Sequence, residues 1–529
     1  MHFFRKLFSK VFSRLVIVLG MILLQLVALI LVVSRFSDYF TWFYFVFLGI
    51  SAIVVLIVIN REMNLGYKLA MVIPILLFPL FGGVVYLTLY AGFFNKRVMG
   101  RLAHLDQSER EHYDTVPSGM EAVEYIDPTL AGQLRCVHTL CGCPLYANTA
   151  TRYFPLGDAL FPAMKEALGG AREFIYLEYF IIAPGKMWNE ILSILRRKAA
   201  EGVDVRIIYD DIGTIRHLPW GYEKRLEEMG IKCRVYNPLI PLTAAWQNKR
   251  DHRKILVIDG AVAFTGGINL SDEYINATRL FGHWKDAGIM LRGDGVTSFT
   301  MMFRCLWELL GEEEEQQSIA QSRRFYLSHM TMAARDGLVM PYGDNPYDRK
   351  QIGRDIYLNA INGAKRYIKI TTPYFIVDEE TLTAIKLAAA RGVSITVITP
   401  HIADKWYVHL ITRSYYRELI EAARAGKQLL LRQCLFSVYE YTPGFIHAKN
   451  LVADGEVGVC GSVNFDYRSF YLQLECGVLM VRSSAIAQME QDYTKTLSAC
   501  GQMTLAQMKK EHLGKKLLSS VLRLFAPLM

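Results

Sequence analysis

Two short stretches carry histidine, lysine and aspartate at the same intervals. Residues 251–267 read DHRKILVIDGAVAFTGG, and residues 446–462 read IHAKNLVADGEVGVCGS. Each places a lysine two residues after a histidine and an aspartate five residues after that lysine. The sets are His252, Lys254 and Asp259, then His447, Lys449 and Asp454. Asn269 and Asn464 each follow their histidine by 17 residues, and the two copies lie 195 residues apart. A lone histidine on a strand usually packs or faces solvent; a set repeated over 18 positions is a requirement of the chain. In both copies a short apolar run leads into Asp-Gly, a strong hairpin signal. Side chains alternate faces along a strand, so His252 and Lys254 are expected to share one pocket. Asp259 has the opposite parity, which places it in the scaffold.

If the two hairpins face each other, the pocket between them holds two imidazoles, two ammonium groups and the Asn269 and Asn464 amides. Protonated lysines repel a metal ion, and no metal is expected there. A phosphodiester anion suits the set, because lysines and amides stabilise the charge of a pentacoordinate transition state. Histidine can act as a nucleophile when neutral and as an acid when protonated. Two of them on opposite sides suit in-line displacement through a phospho-histidine, with no metal, nucleotide or other cofactor required.

The surrounding pattern supplies elements to hold these hairpins. GDALFPAMKEAL, FIYLEYFII, MWNEILSILRRKAAEG and VDVRIIYD read as helix, strand, helix, strand. RDIYLNAINGA, YIKITTPYFI, ETLTAIKLAAARG and VSITVITP repeat that order in the second part of the chain. The fold class predicted is α/β, with two tandem α/β/α halves related by a pseudo-twofold axis, at 151–315 and 316–500. Residues 95–150 read as a polar connector, and the acidic run at 311–317 as a solvated segment between halves.

Residues 1–94 are a different material. Runs 15–33, 39–59 and 69–94 carry no charge, and each is long enough to cross a hydrocarbon core of roughly 30 Å. Pro74 and Pro79 would kink the third run or make it re-entrant. A multi-pass membrane protein is expected. Residues 1–101 carry net +8 and the tail from Ala506 net +4, which leaves −3 of the overall +9 for the globular part. The basic excess therefore sits where anionic headgroups would attract it, and the globular part lacks the charge of a nucleic-acid binder. The tail 501–529 reads as basic and amphipathic, and MKKEHLGKKLLSSVLRLFAPLM within it as a helix lying on a membrane surface, with a helix docked on the fold as the alternative. All nine cysteines lie after residue 135 in no disulfide framework. Cys136, His138, Cys141 and Cys143 fit no standard zinc spacing and are expected to be free of metal.

The paired hairpins resemble the phospholipase D superfamily, and the chain is similar to its bacterial cardiolipin synthases. The likeness includes NLGYKLAMVIPILLFPLFGG, NKRDHRKILVIDG, GGINLSDEY, TTPYF, YTPGFIHAK, GSVNFDYRSF and the terminal LRLFAPLM. It implies transfer of a phosphatidyl group between two phosphatidylglycerol molecules, giving cardiolipin and glycerol through a phosphatidyl-histidine, at a bacterial cell membrane rich in anionic lipid. A phospholipase D or a phosphatidyltransferase with another donor or acceptor is the alternative. The resemblance implies His252 as nucleophile and His447 as acid and base; the pseudo-symmetry also allows the reverse. It implies phosphate binding by Lys254, Lys449, Asn269 and Asn464, with Asp259 and Asp454 as structural or orienting members of the catalytic set. Glu178 in YLEYF and Glu475 in QLECG are candidates to support a histidine; the alternative for each is a buried, paired structural acid.

Overall fold

The computed structural model describes residues 27, 37–77, 128–238, 249–311, 336–348, 350–430, 436–510 and 512–528. The expected span 15–33 (Val27 apart), residues 78–94 of the third apolar run, residues 95–127 of the connector and 312–317 of the acidic run lie outside these.

Among the described residues, nine strands build the first half: β1 (Thr149–Phe154), β2 (Phe174–Tyr179), β3 (Asp204–Asp210), β4 (Lys232–Tyr236), β5 (Arg250–Asp251), β6 (Lys254–Ile258), β7 (Val262–Gly266), β8 (His283–Lys285) and β9 (Gly288–Gly293). Eleven follow: β10 (Leu338–Asp344), β11 (Tyr367–Thr371), β12 (Phe375–Ile376), β13 (Ser394–Pro400), β14 (Phe436–Tyr441), β15 (Gly444–Ile446), β16 (Asn450–Ala453), β17 (Val457–Gly461), β18 (Phe465–Asp466), β19 (Gln473–Val481) and β20 (Cys500–Gln502).

One sheet runs β1-β9-β7-β6-β2-β3-β4, and the other runs β10-β19-β17-β16-β11-β13-β14-β20. Seven strands of the second repeat the order of the first, with β16 where β6 stands and β11 where β2 stands. In each, parallel strands joined through helices meet an antiparallel hairpin, β6–β7 or β16–β17.

Alternation along β2 shows how the layers form. Ile175, Leu177 and Tyr179 enter a core with helices Gly157–Gly169 and Lys186–Ala200, while Phe174 and Tyr176 enter a second core. That second core is a seam between the sheets. It takes Ile255, Val257 and Leu291 from one sheet, Val339, Val452 and Val478 from the other, and residues of helices Val296–Leu309 and Ser484–Leu497. A third core covers the far face of the second sheet.

Part of the segment read as a connector belongs to that third core. Helix Pro128–Cys141 buries Leu130, Ala131, Leu134, Val137 and Cys141 at helical spacing, beside helix Ile352–Gly363. Cys136, Cys141 and Cys143 are free thiols, and the His138 ring bonds the Cys143 carbonyl at 2.7 Å.

Helices Ser37–Asn60 and Leu65–Leu77 form a hairpin whose second arm packs on the second half. Tyr67 sits edge-on to Tyr467 and Tyr471, and Asn64 donates to the Tyr471 hydroxyl at 3.0 Å. Among the described residues no helix is long and apolar enough to cross a membrane. In the tail, helix Leu513–Leu524 rests on helix Trp406–Leu430 through an Arg523–Glu418 ion pair at 2.6 Å. It leaves Leu513, Leu517 and Val521 exposed.

Candidate active site

The two histidines sit just outside the hairpin strands, where each half reaches into the other. Strand β5 of the first half pairs with β19 of the second, while β15 of the second pairs with β8 of the first. The His252 amide then donates to the Leu474 carbonyl at 2.9 Å, and the His447 amide donates to the Lys285 carbonyl at 2.7 Å. In both cases the next residue on the receiving strand is an acid. His252 Nδ1 lies 3.0 Å from Glu475 Oε1, and His447 Nδ1 lies 2.6 Å from Asp286 Oδ2. Each imidazole is thus oriented by a carboxylate of the opposite half, and a proton on Nδ1 leaves Nε2 free to react.

Glu475 was legible in the sequence; its counterpart was not. Glu178, a candidate to serve a histidine, is fully buried and bonds neither. Parity explains this correction. Glu178 shares the face of Phe174 and Tyr176, which points into the seam, where it lies 3.8 Å from Arg253 Nη1. Asp286 fills the position equivalent to Glu475. Gly267 N donates to the Ala287 carbonyl at 3.0 Å and Ser462 N to the Cys476 carbonyl at 2.9 Å, so each acid is one residue before the acceptor. The available signal was an acid two residues before glycine in both places, Asp286-Ala287-Gly288 and Glu475-Cys476-Gly477.

A contact at these positions separates the two centres. A Cβ on Gly267 would stand 2.2 Å from Asp286 Oδ1, so the first copy needs glycine. In the second copy the Ser462 hydroxyl uses that space to donate to Glu475.

Lys254 and Lys449 are each 1 % exposed and fold back onto the carbonyls of His252 and His447. Burial lowers Lys254 to about 8 and Lys449 to about 7, which makes both responsive to an arriving anion. Burial, then Lys254 and Lys449, pushes His252 well below its ordinary value. Burial and Lys449 lower His447 to about 4, against the opposing pull of Asp286. The resting site therefore presents two neutral imidazoles at neutral pH. Its carboxylates differ. Burial raises Glu475 to about 8, whereas at Asp286 the same penalty is outweighed by His447 and Lys449, and the group stays below its usual range.

Asn269 is buried with its amide committed, donating to Tyr274 at 2.7 Å and accepting from Ile181 N at 3.1 Å. Asn464 is 5 % exposed, and its Oδ1 has no hydrogen-bond partner among the described residues. Asp259 and Asp454 stand apart from the imidazoles. Asp259 accepts from the amides of Arg172, Glu173 and Phe174 at 2.8–2.9 Å, and Asp454 from those of Lys365, Arg366 and Tyr367 at 2.7–2.8 Å. Both have positive φ, as do Gly260 and Gly455 after them, the geometry of a type I′ hairpin turn. They clamp each hairpin to the start of its neighbouring strand. Sequence reading also missed an aromatic sheath: Phe180 lies edge-on to His252, and Tyr274, Trp284 and Phe445 surround His447.

The profile of the family described as "cardiolipin synthase, PLD-like domain" matches residues 164–279 and 357–497. A cardiolipin synthase of Halalkalibacterium halodurans is 31% identical over 490 residues, covering 92% of each chain. The chain belongs to the cardiolipin synthase family. The two matched segments of this cardiolipin synthase family member hold one histidine hairpin each; Asp286 lies just past the first. An uncharacterized protein of Streptococcus mutans is 41% identical over 393 residues, 74% of this chain and 81% of its own. The crystal structure of a phosphatidylserine synthase from Haemophilus influenzae aligns with TM-score 0.56 at 14% identity, over 75% of this chain and 97% of that one. That likeness concerns the fold alone.

Proposed function

We propose that this protein is a membrane-anchored cardiolipin synthase, with two tandem halves that arose by duplication and one active site between them. His252 Nε2 attacks the phosphorus of a phosphatidylglycerol. His447, beside the Asp286 anion, takes up a proton as the phosphodiester anion enters; a P–N bond forms as the P–O bond to glycerol breaks, and His447 gives that proton to the departing glycerol oxygen. His447 then takes a proton from the headgroup hydroxyl of a second phosphatidylglycerol, whose oxygen displaces His252 to give cardiolipin. One ester replaces another, so no nucleotide is consumed. Lys254 and Lys449 neutralise the phosphate oxygens, Asn464 offers its amide to them, and Asn269 braces the loop through Tyr274.

The observation that carries this reading is the crossed pair of carboxylates in a chain of this family. Asp286, held as an anion, suits a histidine that must become cationic. Glu475, whose buried carboxyl takes up a proton near pH 8, leaves His252 neutral and nucleophilic. Helix Ser37–Asn60, together with the apolar runs 15–33 and 69–94, anchors the enzyme in a bacterial cell membrane.

The test is product analysis with the purified full chain in phosphatidylglycerol vesicles. Cardiolipin and equimolar glycerol are expected, with turnover lowered about 10³–10⁴-fold in His252→Ala and His447→Ala. Radiolabelled lipid should remain covalently bound to His447→Ala and not to His252→Ala; the opposite pattern exchanges the two roles. Phosphatidic acid as the sole product would make water the acceptor and the protein a phospholipase.

A further inference from the structure

A reaction between two phosphatidylglycerols needs a place for a second phosphodiester, because the acceptor lipid keeps its own phosphate while its glycerol attacks. Lys254 and Lys449 serve the phosphate being transferred. Another cationic corner lies beside them on the second half. Strands β12 and β18 pair in parallel, with Phe375 opposite Phe465 and Ile376 opposite Asp466. This pairing sets Tyr374, just before β12, alongside Asn464, just before β18. Lys405 Nζ stands 5.6 Å from the centre of the Tyr374 ring, and the Tyr374 hydroxyl donates to Asp404 at 2.5 Å. Arg468 lies on helix Tyr467–Tyr471, which Asp466 caps by accepting from Ser469 N at 2.7 Å.

Neither Lys405 nor Arg468 forms an ion pair among the described residues, although many other cations of this fold are paired. The two carboxylates of the corner are engaged elsewhere, Asp404 by Tyr374 and Asp466 by the helix cap. After Lys254 and Lys449, these are also the cations that act next most strongly on the His252 imidazole. The arrangement is one-sided. Arg468 follows Asn464 by four residues, and the residue four after Asn269 is Glu273, whose carboxylate accepts from Ser271. A phosphate would be repelled at the first half's corner and attracted at the second.

Resting on the synthase reading above, we infer that Lys405 and Arg468 form the acceptor site of this enzyme, holding the phosphodiester that is not transferred. The donor phosphate lies between the histidines, and the acceptor lipid approaches from the second half.

Two reactions of the purified full chain in phosphatidylglycerol vesicles separate this role from the shared chemistry. Exchange of labelled free glycerol into phosphatidylglycerol uses the same phosphatidyl-histidine with an acceptor that has no phosphate. Cardiolipin formation uses an acceptor that has one. Arg468→Glu, which copies the first half, and Lys405→Ala should lower cardiolipin formation about tenfold further than glycerol exchange, chiefly through the KM for acceptor. Arg468→Lys should restore most of the difference. Equal losses in both reactions would assign these cations to the common centre and overturn the inference, as would no loss in either. A wild-type chain that performs neither reaction would instead overturn the synthase reading on which it rests.

Discussion

The two histidine centres share their geometry and differ in what stands behind them. Strand pairing aligns the halves: Glu178 lies opposite Ile255, three residues after His252, and Thr371 lies opposite Asn450, three residues after His447. By the same offsets Arg250, Asp251 and Arg253 correspond to Phe445, Ile446 and Ala448, and Asp210 corresponds to Pro400. The first half thus backs its histidine with five buried ionisable groups, where the second half has none at the equivalent positions. Arg250 Nη1 lies 3.5 Å from Asp210, the Asp251 amide donates to Asp210 at 3.1 Å, and the Arg253 amide donates to Asp251 at 3.1 Å. Arg253 also reaches across the seam to the carbonyls of Glu475 and Asp344, at 3.3 Å each. Behind His447, Phe445 packs on Trp284 with ring centres 5.0 Å apart.

One backbone position is therefore fixed twice by different physics. Buried ions gain direction from hydrogen bonds but carry a desolvation penalty, which apolar packing avoids. Three carboxylates face two guanidiniums in the first half, and burial raises all three: Asp210 to about 6, Asp251 to about 7 and Glu178 well above its ordinary value. The His252 centre is expected to be the more sensitive of the two to pH and to single substitutions behind it.

The two centres should differ most at the carboxylates that touch the histidines. Asp286→Asn should lower kcat about 10²–10³-fold at neutral pH, since it removes the anion that favours protonated His447. Asp286 raises the pKa of His447, so its loss moves the alkaline limb of the kcat profile to lower pH. Glu475→Gln should cost about tenfold less below pH 8, because the native carboxyl is already protonated there. Equal losses, measured as cardiolipin formed across pH 5–9, would erase the functional distinction between the centres.

A smaller effect falls on stability. Arg253→Ala leaves Glu178 and Asp251 without their guanidinium and should destabilise the protein by about 3 kcal/mol, read as a lower denaturation midpoint. Asp251 binds its proton more tightly folded than unfolded, so its contribution to stability is largest at low pH. That contribution falls as pH rises from about 4, the unfolded value, through about 7. Asp251→Asn should flatten this slope; a stability curve unchanged in that window would mean the cluster is not the sensitive element.

The smallest effect should be the same in both halves. Asp259→Asn and Asp454→Asn keep one acceptor and a residue tolerant of positive φ, and each should cost about 1 kcal/mol. Activity per folded molecule should hold, as measured by turnover normalised to folded protein. A marked difference between the two would show that the hairpin clamps are not equivalent.

Much of the site was legible because the chemistry is written locally. The histidine and lysine offsets, the Asp-Gly turns and the asparagines all lie within 18 residues of one another in each copy. The oriented parity of Asp259 and Asp454 followed from the same strands. Asp286 was not legible, because its partner His447 lies 161 residues away in sequence and its own neighbours, KDAG, announce no role. Glu178 left two readings open because an acid in an apolar strand can serve a histidine or be buried and paired, and the side it faces depends on which core each side of the sheet joins.

The repeated motif, the set of groups suited to a phosphodiester and the two hairpins are readable from local residues, since periodicity and turn residues act over a few positions. Packing of the two sheets sets which carboxylate each histidine takes, and in both cases it comes from the opposite half. Packing also sets ions behind one histidine and rings behind the other. Such choices depend on which β-edges meet across the seam, and that geometry is set by burial of both sheets together rather than by any short stretch of chain.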